Sequence, residues 1–433
     1  MASDYSAARQ EFVDRINAGV SLAIPFIQKR VNYGKRVLND DARSHGIISL
    51  FVPAGGTGGV EELTNAASNG PVSGALDRTA DFAAGKDSAS FYEVKCYAHN
   101  GWELFSHKVL EKMFQIGNLD KNVIQGRINH MVQNINKDLV TRNAYIAGGA
   151  TVASSTELGY VAMDKALSML QTIKSEGGWT GYISPLFKSK LRTTAALKNG
   201  GFDVPDDTLK SMYGRGGIGV FAGADWVNEA FMPEYTSGVL NSTTTSGTDV
   251  KVKTAVSTQG AHQITLKGVT ASGSIPKGTP FTIEGVYDVT IAGISIMEPK
   301  VFITQKDATA DASGDVTLDV LPIYFNDDTK GYQNNVYVSG SEIAANAVVK
   351  SPVEAATTYF VGLIKEDECF NWTPFELDDV DGCKNTTSST EDIVVQLVSG
   401  GNLEKRSNKM RFDASYFGDI VDPRANRLVY YKK

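Results

Sequence analysis

The sequence predicts an α+β chain of several packed modules, and three observations lead there. Residues 250–325 alternate apolar and polar side chains between small-residue turns, the period-two signature of half-buried strands. The flanking segments instead mix helical three- and four-residue periodicities with short apolar runs. With 433 residues, the chain is too long for one typical core, so two or three modules are expected. A β-rich run set between segments of different character implies an insertion that splits one domain.

The N-terminal segment places Phe12, Ile16, Val20, Ile24 and Ile27 at helical spacing, which predicts an amphipathic helix interrupted or kinked near Pro25. Gly46-Ile47-Ile48-Ser49-Leu50-Phe51-Val52 predicts a strand, and Phe91-Tyr92-Glu93-Val94-Lys95-Cys96-Tyr97 predicts its distant partner. Between them residues 53–86 carry Gly55, Gly56, Gly58, Gly59 and Gly70-Pro71. A loop that long usually has a function or is disordered. A long two-stranded arm would join these facts, and such an arm gains stability only when another subunit covers it. A disordered linker is the alternative.

A helical pattern starts at Phe105 and continues through Val109, Met113 and Ile116. It pauses at Gly117-Asn118 and resumes with Ile124, Ile128, Met131, Ile135 and Leu139, with Asp120 as its N-cap. Over residues 121–147 this second helix would be a stiff spine about 40 Å long, ending at Gly148-Gly149. Helices are then expected over 163–175 and 185–197, with strands at 181–184 and 218–221, making a mixed α/β module.

In the insertion, strands are expected at Val250-Lys251-Val252-Lys253, Gln263-Ile264-Thr265-Leu266-Lys267, Phe281-Thr282-Ile283-Glu284 and Val316-Thr317-Leu318-Asp319-Val320. Turns at 271–274, 276–280 and 312–315 suit several short antiparallel strands closing into a small barrel or sandwich. Beyond it, residues 358–364 and 393–398 and a segment near Tyr430 are strand-like.

Composition narrows the function classes. No apolar stretch approaches the roughly 18 to 20 residues that cross a bilayer, no secretory core is expected among Asp4, Arg9, Glu11 and Asp14, and no membrane partner is expected. The cytoplasm is the expected compartment, and Cys96, Cys369 and Cys383 form no paired framework. A net charge of -7 argues against nonspecific nucleic-acid binding by the whole surface. Lys29, Arg30, Lys35 and Arg36 nevertheless make a locally basic cluster.

Candidate chemistry is sparse. Gly214-Arg215-Gly216-Gly217-Ile218-Gly219 matches the dinucleotide fingerprint formally, but that motif needs a strand before it and a helix after it, and here a turn precedes a strand. Cys96, His99 and His107 are zinc-ligand types without a fourth ligand, and Cys96 sits in an apolar strand where a free cysteine acts as a small core residue. Asp379, Asp381 and Gly382 resemble part of a calcium loop, but Leu377 and Ser388 occupy its first and last ligand positions. Neither a local triad signature nor a nucleophile elbow is present. No catalytic residue, cofactor or metal is assigned, and a non-enzyme is expected.

The order of N-terminal helix, glycine-rich arm, spine helix, mixed domain and split-in β-module resembles the major capsid protein of short-tailed bacteriophages. Pro276-Lys277-Gly278-Thr279-Pro280-Phe281-Thr282-Ile283 is similar to the strand entry of that family's inserted domain. Gly314-Asp315-Val316-Thr317-Leu318 with Leu321-Pro322-Ile323-Tyr324 is similar to its exit, and Lys409-Met410-Arg411-Phe412-Asp413 looks like its C-terminal signature. Tyr213 to Ile218 looks like the family's turn into a strand, which makes those glycines structural.

The resemblance implies the Hong Kong ninety-seven capsid fold with an inserted small β-barrel domain. Its parts would be an N-terminal arm (1–35), an extended loop (36–100), a peripheral domain with the spine helix (101–149), an axial domain (150–235), the inserted domain (236–349), the rest of the axial domain (350–400) and a C-terminal return (401–433). It implies a virion protein that forms hexamers and pentamers of an icosahedral shell, with a scaffolding protein, a portal protein and packaged double-stranded DNA as partners and room for a decoration protein. Lys29, Arg30, Lys35 and Arg36 are then the candidate scaffold or DNA contacts, and Gly55, Gly56, Gly58 and Gly59 belong to the candidate intersubunit arm. The rival functions are a virion decoration or tail protein that binds host carbohydrate through the β-module, and a nucleotide-dependent enzyme resting on the Gly214 run.

Overall fold

A computed structural model of the chain describes residues 24, 47–53, 91–106, 125–154, 157, 159–174, 177–193, 219–241, 249–258, 260–290, 294–324, 326, 336–338, 340, 342–377, 379, 383–389, 393–402, 407–424 and 426–433. The chain starts with strands β1 (Ile47–Pro53) and β2 (Phe91–Ser106), then helix α1 (Gln125–Asn143), β3 (Gly149–Val152), α2 (Gly159–Ile173), β4 (Trp179–Ile183), α3 (Pro185–Thr193), β5 (Gly219–Phe221), β6 (Ala224–Asn228) and β7 (Glu234–Thr236). The β-rich run follows as β8 (Lys251–Val252), β9 (Ala261–Lys267), β10 (Ser274–Ile275), β11 (Pro280–Val289), β12 (Ser295–Thr304), β13 (Ala308–Thr309), β14 (Val316–Tyr324), β15 (Tyr337–Val338) and β16 (Val349–Lys350). The last strands are β17 (Thr358–Glu366), β18 (Phe370–Phe375), β19 (Lys384–Ser389), β20 (Val394–Asn402), β21 (Ser407–Ile420) and β22 (Arg427–Lys432).

These strands make three large sheets. One runs β1-β2-β21-β20-β19, with β18 also on β21. A second runs β3-β22-β17-β4-β6-β5, with β7 also on β17, and its β3/β22 and β4/β6 pairs are parallel. The third lies within the β-rich run, in the order β15-β11-β12-β14-β9-β8 with β16 also on β11.

The second sheet is buried on both faces, which explains why β17 reads as a continuous apolar run. Tyr359, Val361 and Leu363 of β17 and Leu428 and Tyr430 of β22 enter the core shared with α1. Their neighbours Phe360, Ile364, Val429 and Tyr431 enter the core made with α2 and α3. The third sheet is different: β14 alternates strictly, with Val316, Leu318, Val320 and Tyr324 inward, and its core is separate. This sheet returns on itself. Val252 N donates to Ala347 O at 3.0 Å and Val349 N to Val250 O at 2.8 Å, while β16 pairs with β11.

Helix α1 buries Met131, Val132, Ile135, Leu139 and Val140 at helical spacing and exposes Asn129, His130, Gln133 and Asn134. It lies against β2 and β21 because both strands present glycine beneath it. A Cβ at Gly101 would stand 2.6 Å from Ile135, and one at Gly418 would stand 2.6 Å from Leu139. The described helix has 19 residues and is about 28 Å long, and residues 121–124 of the expected spine lie outside the described residues. It ends at Asn143, not at the glycine pair, because the Asn143 side chain ties that end to β21. Its Nδ2 donates to Leu139 O and Gly418 O, and its Oδ1 accepts from Ile420 N. Tyr145 and Ala147 are then buried in non-helical backbone.

The helix expected to begin at Phe105 is corrected there. Phe105 belongs to β2 and stands opposite Met410 of β21, so sheet pairing overrides the local period. The rest of that pattern, residues 107–124, lies outside the described residues, as does the N-terminal helix except for Ile24, which is buried without regular structure beside Pro25. The strands expected at 46–52 and 91–97 do pair, Ile47 opposite Tyr97 through Pro53 opposite Phe91. Several expected domain borders fall inside strands: 100/101 in β2, 149/150 in β3, 349/350 in β16 and 400/401 in β20. The chain leaves the second sheet after β17, builds β18 to β21 into the first, and returns with β22.

The β-rich module is fixed to the body by a buried ionic group and a tyrosine cluster. Asp288 accepts from Lys300 Nζ at 2.6 Å and from Arg427 Nη1 at 3.3 Å, and all three side chains are buried. Arg427 also donates to Thr151 Oγ1 and Ala150 O on β3. Tyr430 OH donates to Gly278 O at 2.5 Å, and Tyr235 OH to Thr279 Oγ1 at 3.1 Å. Gly278 sits at φ +85°, and a Cβ there would stand 2.2 Å from the Tyr145 ring.

Gly278→Ala combines a left-handed backbone with a clash, so it should cost about 2–4 kcal/mol in urea unfolding. Asp288→Asn leaves two buried cations without their anion and should cost about 3–5 kcal/mol in the same measurement. An unchanged unfolding midpoint in either variant would remove the corresponding contact from the account.

Candidate functional site

A cleft of about 400 Å³ lies between α1 and the β2/β21 pair and is built by several elements. His99, Asn100, Gly101 and Trp102 of β2, His130, Asn134, Ile135 and Asp138 of α1, and Tyr416 of β21 line it. The alternation of β2 puts His99 toward α1, where its Nδ1 stands 3.6 Å from Asp138 Oδ2 and its ring lies over Tyr416. Tyr416 stacks in turn on the buried Trp372, with ring centroids 4.7 Å apart.

Asp138 is the centre of this arrangement. Its Oδ2 accepts from Arg142 Nη2 at 2.9 Å, one helical turn away, and from Tyr416 OH at 2.8 Å. Arg142 Nη1 also pairs with Asp419. Burial, then the positive charge of Arg142, lowers the His99 imidazole below its ordinary value, against the pull of Asp138 and Asp419. Burial, then Asp138, pushes the Tyr416 phenol up. Oδ2 of Asp138 thus serves both Arg142 and Tyr416.

At the rim, Trp102 is 56% exposed and carries the Arg411 guanidinium 5.5 Å from its ring centroid. The buried Asp413 holds Arg411 through Nε at 2.8 Å and Nη2 at 2.7 Å, and also accepts from Asn100 Nδ2 at 2.7 Å. Aromatic and arginine side chains are enriched at protein interfaces, and here Arg411 is braced by one carboxylate oxygen, Asp413 Oδ1. The cleft thus joins the Asp138 ionic cluster to an aromatic edge at Trp102.

The sequence-predicted positions fall as follows. Lys29, Arg30, Lys35, Arg36, Gly55, Gly56, Gly58 and Gly59 all lie outside the described residues, as do His107 and residues 214–218. Cys96 is buried with Phe375, Phe417 and Val421, and burial raises its thiol to about 12. Burial likewise raises Cys369 to about 12, and the three cysteines are free thiols. Among the described residues no group of three or more His, Cys, Asp or Glu is placed to hold a metal. Asp379 accepts a hydrogen bond from Gln396 Nε2. No described helix is long and apolar enough to cross a membrane. Neither the Asp138 cluster nor the Trp102/Arg411 pair is among the sites expected from the sequence. The Asp138-Arg142 spacing was a legible signal, whereas the partnership of Trp102 with Arg411 depends on strand register.

No protein-family model and no curated protein matches the chain. Among solved structures, a structure of Mycobacterium phage Che8 overlaps 92% of this chain and 91% of its own, at 9% identity and a TM-score of 0.38. A capsid of Ralstonia phage GP4 covers 90% and 84%, at 6% identity and 0.40. An acidic stable capsid structure of Helicobacter pylori bacteriophage KHP30 covers 95% and 92%, at 10% identity and 0.40. Scores this low do not establish a shared fold.

Because the native environment disfavours protonated His99, its contribution to stability is present above the ordinary histidine range of about 6.5 and is lost as pH falls toward the lowered folded value. His99→Gln should therefore reduce the loss of melting temperature between pH 7 and pH 5. Equal losses in both proteins would show that His99 does not carry that slope.

Proposed function

We propose that the chain is a structural capsid subunit of a tailed phage, and that its activity is self-assembly into an icosahedral shell around packaged double-stranded DNA. The observation that carries this proposal is the split pairing of β2. Residues Ala98 to Ser106 of β2 pair with β21 inside the first sheet, whereas Phe91 to Tyr97 pair with β1. No other described strand pairs with that outer half. A two-stranded ribbon is marginal alone in water, so a partner surface is needed to cover it. In a shell of identical chains that partner is a second copy.

The rest of the molecule fits the same proposal. Helix α1 is a spine laid along the first sheet, the second sheet with α2 and α3 corresponds to an axial domain, and the separately cored β-module corresponds to an inserted barrel. The motifs at 276–283, 314–324 and 409–413 support the short-tailed phage family in particular. On this proposal residues 53–86 form an arm over the adjacent subunit, Lys29, Arg30, Lys35 and Arg36 meet an acidic scaffold or DNA, and subunits gather into hexamers and pentamers with a portal.

Co-expression with the phage's own scaffolding protein, followed by sedimentation and electron microscopy, should give closed icosahedral shells. Small oligomers alone, with scaffold present, would overturn the proposal. Deleting residues 53–86 should leave soluble subunits and few closed shells, and normal shells from that deletion would sink the arm assignment. Charge reversal at Lys29 and Arg30 should abolish salt-sensitive scaffold binding.

A further inference from the structure

Glu229 follows β6 and is 1% exposed. Its Oε1 accepts from Asn136 Nδ2 of α1 at 2.9 Å and from its own neighbour Phe231 N at 3.1 Å. The other oxygen, Oε2, is buried and accepts no hydrogen bond, and neither does Asn136 Oδ1. An ionised carboxylate with one bare, desolvated oxygen is far more costly than the neutral carboxylic acid in the same place.

Among the described residues no lysine or arginine pairs with Glu229. The group facing Glu229 from α1 is the neutral Asn136, its own segment contributes the N–H groups of Phe231 and Ala230, and β4 contributes the Tyr182 phenol. Burial holds Tyr182 well above its ordinary value, so it stays neutral and adds no positive charge. Burial is also the largest influence on Glu229, raising its carboxyl against the opposing pull of the Phe231 N–H, the Asn136 amide and the adjacent Ala230 N–H.

The placement gives this proton a mechanical role. Helix α1 is seated on the first sheet by Ile135 above Gly101 and Leu139 above Gly418. Asn136, next to Ile135 in sequence, joins the same helix to the chain leaving the second sheet, whose Glu229 N donates to Ile183 O of β4. We propose that Glu229 is a proton-dependent latch between α1 and the second sheet, closed while its carboxyl is protonated and loosened when it ionises. Loosening would let the two sheets shift relative to each other, a device that belongs to the single subunit and does not depend on assembly.

For a carboxyl raised in the folded state, the latch is fully favourable below the ordinary carboxyl range and weakens as pH rises through the folded value. The test is hydrogen exchange of the α1 amides in the full chain from about pH 4 to pH 9, corrected for intrinsic rates, in wild type and Glu229→Gln. The amide keeps the acceptor for Asn136 and cannot ionise. Wild-type α1 should lose protection with rising pH, about tenfold for each unit by which the carboxyl is raised, while Glu229→Gln should stay level. Asn136→Leu removes the cross-link without touching the carboxyl, so it should lower α1 protection at every pH and flatten the difference. Parallel wild-type and Glu229→Gln profiles, or a pH-dependent loss confined to segments other than α1, would overturn the latch.

Discussion

Arg427 is the point on which the rest of the structure depends. It starts the last strand, holds β3 through Thr151 Oγ1 and Ala150 O, and reaches across to Asp288 of the β-module, which also holds Lys300. Two cations share one anion in a site that excludes water, and burial lowers both Lys300 and Arg427 against the attraction of Asp288. Such a group adds little net stability over an apolar packing of the same volume. Its value is positional, because a charge has low energy in only one place, and a greasy contact would let the module slide. The glycine opposite it, Gly149, completes the fit: a Cβ there would stand 3.1 Å from Arg427 Nη1.

Around that point two kinds of sheet divide the work. The second sheet is buried on both faces and contributes rigidity, since no part of β17 or β22 is available to water along most of its length. The module is apolar inside and polar outside, as a unit with its own core must be. At its β11/β12 hairpin it exposes Ile294 at 66% and Met297 at 67%, the latter at φ +58°. Helix α1 mediates between the sheets, gripping one by close packing over glycine and the other through Asn136.

How much of this was legible in the sequence depended on whether the signal was local. Period-two alternation located β9, β11 and β14, and the helical spacing of Met131, Ile135 and Leu139 located α1. Turn residues marked the left-handed positions Ser272, Gly278 and Gly314. Phe105 misled because an apolar residue at helical spacing can equally serve a strand when a partner such as β21 lies beside it. The exit at Asn143 was hidden because it rests on three hydrogen bonds, two of them to β21 far along the chain. The cleft was hidden for the same reason: His99, Asp138 and Tyr416 are unremarkable in isolation, and only the register of β2 on β21 brings them together.

The length of β2 has a mechanical consequence. Its 16 residues belong to two structures at once, the outer ribbon and the interior of a sheet. A pull on the ribbon along its axis is transmitted without a joint into the ladder with β21, from Ala98 opposite Phe417 to Ser106 opposite Lys409. Force applied parallel to paired strands loads their hydrogen bonds in shear, together, and does not peel them one by one. Tension from outside the body would therefore be spread across nine residue pairs and passed to the helix lying over them. The weak end of the ribbon is its far tip, where β1 is the only partner among the described strands, so a failing contact would fray outward and leave the body intact.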